Sequence, residues 1–245
     1  MVKYSGNFGN FAVIYDALRP TYPKKLISLI FNNIEANQPS ILDLGCGTGI
    51  STRQLAQVKS SIIGFDIDKK MLRTAKLKKK SNIKYVQGNA NKLPFDTNSF
   101  DCVTAFTSFH WFMNKKAVYE IKRVLKSNGM LCIIQPIFAS FQKDYRKILE
   151  KEIDCKIPKK YKISKEIVPF LNSYGFHTEK FLFKPMIKYN IREYIELLKS
   201  YSLWNFVPIK RRKEIEYLLK GHFSKKLING YICNIKYIEV IIAKF

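Results

Sequence analysis

Residues Ile41–Gly49 read ILDLGCGTG: a short apolar run tipped by an acid, then a bend built on Gly45, Gly47 and Gly49. The pattern predicts a strand over Ile41–Leu44 that passes at once into a tight turn and then a helix. Glycine is wanted where the backbone takes positive φ, or where a ligand must reach the main chain without a Cβ in the way. Asp43 sits near the strand's carboxyl end, beside the crevice where open α/β sheets bind ligands. A plain tight turn is the simplest reading. A dinucleotide site is the sharper rival, but it calls for GxGxxG spacing, and here the glycines follow GxGxG behind an acid.

Outward from this stretch, short β-branched runs alternate with helix-period segments, as in a parallel sheet with crossover helices. Strands are expected over Ser61–Asp66, Ile83–Gln87, Phe100–Phe106 and Met130–Gln135, and helices over Lys69–Lys80 and Lys115–Leu125. Beyond Phe141 come lysine-studded helices around Tyr145–Ile153, Ser164–Tyr174, Ile191–Tyr201 and Lys210–Leu219, with Gly175 as a C-cap. Two strand-like runs, Lys180–Tyr189 and Ile235–Lys244, are expected to form an antiparallel edge of the same sheet. Asp66 ends the second strand about 20 residues past the bend, where a carboxylate grips ribose hydroxyls, and Asp68 suits the cap of the next helix. The pairing of GxGxG spacing with the acid before it suits a ligand with a sulfonium and an amino acid end rather than phosphates.

Composition bounds the rest. The 245 residues can bury one good core, and a 47% hydrophobic content excludes a disordered chain. No apolar run approaches the roughly 20 residues of a membrane span. The N-terminus lacks signal-peptide features and is expected to belong to the mature fold. The five cysteines show neither CxxC pairs nor metal-ligand spacing, so free thiols, no metal and a cytoplasmic setting are expected. The net charge of +24 admits an acidic macromolecular partner. Against that, Lys outnumbers Arg about fourfold and is spread throughout, with its densest runs at Lys76–Lys80 and Lys210–Lys213.

ILDLGCGTG, IIGFDIDKKML, YVQGNANKLPF, SFDCVTAFTSFHWF and EIKRVLKSNGML, in this order, resemble the motifs of class I S-adenosylmethionine (SAM)-dependent methyltransferases. The likeness covers residues 8–135 and is nearest the small-molecule branch that includes trans-aconitate-type carboxyl methyltransferases. It implies a doubly wound, mostly parallel seven-stranded Rossmann-like sheet of order 3-2-1-4-5-7-6. It also implies one domain over 1–245: a cofactor-binding half with an N-terminal lid over 1–135, then cap helices and final strands over 136–245. SAM is the implied cofactor, held by Asp43, Gly45, Cys46, Gly47, Gly49, Asp66, Ile67, Asn89 and Ala90. The family has an acid where this chain has Asn89, whose carbonyl oxygen can still accept from an adenine amine. KSYSLWNF and IKYIEVIIAKF resemble that branch's lid and final strand.

Two further stretches complete the reading. In YDALRPTYP, Tyr15, Arg19 and Tyr22 precede the first strand, and Arg19 suits a cofactor or substrate carboxylate. Pro20 and Pro23 starting a helix, with packed aromatics, is the plainer account. Phe109–Phe112 follows the fourth strand, and with Tyr15, His110 and Trp111 are the candidate catalytic residues. Methyl transfer needs alignment and water exclusion, which an aromatic wall supplies. His110 is either a base for a hydroxyl or amine acceptor or a packed pocket histidine; an ionised carboxylate acceptor needs no base. Tyr201 and Trp204 are expected to cap the acceptor or to join the core. Methylation of a small carboxylate is thus the leading expectation, with an acidic macromolecular acceptor or a non-catalytic SAM-fold binding protein as alternatives. Oligomeric state is not legible in the sequence.

Overall fold

Alternation along the central strands gives the sheet two apolar faces. The computed structural model describes residues 16, 19–56, 60–78, 80–137, 140–157 and 164–245. Strands β1 (Ser40–Leu44), β2 (Ser61–Asp66), β3 (Ile83–Gln87), β4 (Phe100–Phe106), β5 (Leu125–Ile137), β6 (His177–Phe183) and β9 (Tyr237–Lys244) form one sheet in the order β3-β2-β1-β4-β5-β9-β6. β1 pairs in parallel with β2 and β4, β2 with β3, and β4 with β5, whereas β6 runs antiparallel to β9. This is the doubly wound order expected, with β9 in the place of the last-formed strand.

Ile41, Ile62 and Ile83 face α1 (Lys24–Asn32), α2 (Ile50–Leu55) and α3 (Lys69–Leu77) through Leu26, Ile30, Leu55 and Leu72. Leu42, Leu44 and Val103 pack on the other side with Val118 and Ile121 of α4 (Lys115–Val124) and with Ile167 and Leu171 of α6 (Ser164–Asn172). Asp68 caps α3, accepting from the amides of Lys70 and Met71. Past α6, Gly175 takes φ of +78° and its amide donates to Asn172 O, closing the turn.

The chain forms two compact units, and each is interleaved in sequence. Residues 20–136, 161–183 and 238–245 build the large sheet and its helices. The described residues within 1–19, 137–160 and 184–237 build the other unit, with α5 (Ser140–Glu152), α7 (Ile191–Lys199), α8 (Arg212–Ser224) and a hairpin of β7 (Met186–Tyr189) and β8 (Ile232–Ile235). The run Lys180–Tyr189 is therefore not one strand. It breaks at Lys184–Pro185 into β6 and β7, which belong to different sheets, because proline offers no amide to continue a ladder. Ile235–Lys244 divides likewise into β8 and β9.

Candidate functional site

The parallel strands β1, β2 and β4 end on one edge of the large sheet, and the strand order diverges on either side of β1, as at a ligand-binding switch point. Asp43 is wholly buried there. Its Oδ2 accepts from Ser51 Oγ (2.8 Å) and Thr52 Oγ1 (2.7 Å), and its Oδ1 accepts from Thr104 Oγ1 (2.9 Å). Burial lifts its carboxyl to about 6 in spite of those three hydroxyls. At 0% exposure and under three hydroxyls, Asp43 ties the turn to α2 and β4.

Asp66 is only half-buried. Its Oδ2 accepts from the Gly47 amide at 2.7 Å and its Oδ1 from the Asp68 amide at 2.8 Å, while burial raises its carboxyl above the usual range. Each oxygen keeps a lone pair for another donor. The glycines divide into two kinds. A Cβ on Gly45 would fall 2.5 Å from Ser108 Cβ, and one on Gly49 would strike the Tyr85 hydroxyl, so both serve packing within the protein. A Cβ on Gly47 (φ +56°) would meet only the terminal methyl of Met71 at 3.3 Å. Gly47 is thus the position where a ligand can approach bare backbone.

Cys46 turns its side chain into the core, so only its backbone faces the turn. Ile67, next to Asp66, is 66% exposed, an uncovered apolar side chain beside a half-buried carboxylate. Asn89 is exposed and Ala90 half-buried. The Asn89 Oδ1 already accepts from the Asn91 amide at 2.9 Å, which leaves its NH2 as the freer group. A carboxylate, an apolar side chain and an amide edge around an open glycine match a nucleoside with an amino acid tail.

The aromatic segment adjoins this turn. Ser108 Oγ donates to Leu44 O at 2.6 Å, and Phe112 reaches within 3.4 Å of where a Gly45 Cβ would lie. Phe109–Trp111 form one 3-10 turn; Phe109 is buried and Trp111 is 51% exposed. Burial pushes His110 down to about 4, so it is neutral at pH 7 and a weak base. Tyr22 docks on the same strand ends: its amide and carbonyl bond the Gln54 side chain, and its hydroxyl lies 3.1 Å from Thr107 Oγ1. Thr107 takes φ of +54°, a costly conformation for a β-branched residue and one that clusters at functional sites. Sequence reading passed over Thr107, Ser108, Gln54 and Tyr85; the strain on Thr107 has no signature in residue type.

Tyr15 lies outside the described residues. Arg19 belongs to the other unit, where its guanidinium lies 4.4 Å above the Tyr201 ring. Trp204 is core, 2% exposed. Among the described residues no three His, Cys, Asp or Glu side chains gather as a metal site, and no helix is long and apolar enough to cross a membrane. A cavity of about 320 Å³ opens beside Ser40, Ser61 and Phe100, at the amino ends of β1, β2 and β4, away from the glycine turn.

Comparison with known proteins bears on the family and the fold. The methyltransferase domain family matches residues 42–133. An uncharacterized methyltransferase of Schizosaccharomyces pombe is 31% identical over 207 residues, 82% of this chain and 80% of its own length. Two further relatives are matched over 49% and 47% of theirs. The structure of YcgJ from Bacillus subtilis aligns with a TM-score of 0.60 at 20% identity, over 91% of this chain and 99% of that one. Phosphoethanolamine N-methyltransferase 2 of Haemonchus contortus, solved with S-adenosyl-L-methionine, gives 0.56 at 16% identity, over 96% and 57%. At such identities the two structures speak for the fold, while the sequence match across most of the yeast protein carries the family. With the acid-tipped strand, the glycine turn and the second carboxylate at one sheet edge, the chain belongs to the class I SAM-dependent methyltransferases.

Proposed function

We propose that the protein transfers the methyl group of SAM to a small-molecule acceptor, at a carboxylate oxygen, as in the trans-aconitate-type branch its motifs resemble. The observation that carries this is the open Gly47 flanked by Asp66 and the uncovered Ile67. Asp66 accepts the ribose hydroxyls, Ile67 covers a face of the adenine, and the Asn89 amide with Ala90 borders its edge. The backbone of Gly45, Cys46 and Gly47 lines the methionine side. When bound, SAM supplies a methyl on a sulfonium, whose S–C bond breaks with the electron pair leaving on sulfur. Asp43 acts on the ammonium through its field, from beneath the turn. Trp111 and His110 exclude water, and Trp111 offers a π face to the cation.

Neutral His110 supports an acceptor that arrives already ionised: with its pKa near 4 it is poorly matched to remove a proton at pH 7. The test is transfer of labelled methyl from SAM to a panel of small organic acids. Label that is released by mild alkali, as a methyl ester is, supports the reading. Alkali-stable label, or none on any acid, overturns it. The net charge of +24 favours a second reading, an acidic macromolecular acceptor.

A further inference from the structure

The unit of α5, α7, α8 and the β7–β8 hairpin contains buried polar groups that its own fold does not satisfy. In the hairpin, Ile187 opposes Asn234 and Tyr189 opposes Ile232, so Tyr189 and Asn234 share one face. The Lys236 amide donates to Pro185 O at 2.9 Å, which extends the ladder and keeps Lys236 in step with Asn234. Asn234 is 1% exposed, and neither its Oδ1 nor its Nδ2 has a hydrogen-bond partner among the described residues. The buried Tyr189 hydroxyl has none either. Native folds rarely leave a buried amide unpaired at both ends, and such groups ask for a ligand, an ion or water.

The charge of the cluster is positive. Lys236 is half-buried, with no carboxylate at ion-pair distance among the described residues. Burial, and then the charge of Arg19, push its ammonium down to about 7. Arg19 acts on the Tyr189 phenol as well, and it stacks on Tyr201, so both cations and both phenols belong to one neighbourhood. Two cations, an amide and a hydroxyl set among aromatic rings and isoleucines suit an anion carried on a carbon frame better than an inorganic one.

We infer that Lys236, Asn234 and Tyr189 form a binding pocket for a small organic carboxylate, with Arg19 on Tyr201 as its cationic wall. The choice of ligand class rests on the carboxylate reading above; the pocket itself stands on the unsatisfied groups. The test is calorimetric titration of the full chain with citrate, with succinate and with inorganic phosphate, no methyl transfer being required. Binding of citrate or succinate is expected, weakened at least tenfold in Lys236→Met and in Asn234→Leu. Asn234→Leu should melt no lower than wild type, since it removes the unpaired amide, so its lost binding is not a folding defect.

Binding of phosphate as tight as that of the carboxylates overturns the proposal, as does unchanged affinity in both variants or no carboxylate binding at millimolar concentration. Competition by S-adenosylhomocysteine also overturns it, because the anion held would then be the cofactor's own. If carboxylates bind but none is methylated, the pocket survives and the acceptor reading fails. Base-labile methylation with unaltered kinetics in both variants does the reverse.

Discussion

Asp43 and Asp66 end neighbouring strands, yet the structure gives them different work: one is sealed under three hydroxyls, the other is half-open and holds two turn amides. The sealed acid links stability to pH. Its folded pKa, about 6, lies above its ordinary 3.8, so the folded protein holds the extra proton between those values. Asp43 is therefore best tolerated at low pH, and stability is lost as pH rises through 6. Asp43→Asn imitates the protonated acid and escapes that loss. Its stability relative to wild type should improve from pH 4 to pH 7, by up to about 3 kcal/mol. Denaturant melts at the two pH values measure this, and a pH-independent difference would count against a strained, ionised Asp43. That acids would stand at 43 and 66 was plain from ILDLGCGTG and IIGFD. Which one would be open was not, because Ser51, Thr52 and Thr104 are ordinary helix and strand residues until the fold gathers them.

At the scale of the element, the glycine turn makes an ordered prediction. Gly45→Ala must push Ser108 off the end of β4, and Gly49→Ala must displace Tyr85, so both should melt well below wild type. Gly47→Ala pays chiefly the left-handed backbone term, about 1–2 kcal/mol, since only a mobile methionine methyl stands in its way. It should remain folded and lose SAM affinity at least tenfold, as read by calorimetry. Full affinity in folded Gly47→Ala would remove the turn from the binding site. β1–β4 were readable nearly to the residue, because each is a short run rich in apolar and β-branched residues between turn residues. The later strands were harder. Lys180–Tyr189 carries apolar and aromatic residues on both sides of Pro185, and only that proline marks where the chain leaves one sheet for another. Asn234 and Lys236 drew no notice in sequence, since a polar residue in a short strand is usually solvated.

For the whole molecule, the charge of +24 asks what it is for. The basic runs at 76–80 and 210–213 lie one in each unit. Arg211 is occupied internally, with Glu214 at 2.6 Å and the Glu152 carbonyl. Transfer to a small acid should change less than about threefold between 50 and 200 mM salt, whereas a phosphate-rich polymer held by many lysines would lose a hundredfold or more. Steady-state rates across that range decide between them. The interleaving of the two units has its own consequence. Phe183 and Ile238 are the terminal partners of the antiparallel β6–β9 pair, so in sequence the chain from 184 to 237 is an excursion between two neighbouring strands. A two-residue Asn-Gly turn could close that pair in its place. By the same token, a lineage could exchange the excursion for another while every rung between β6 and β9 stays in place.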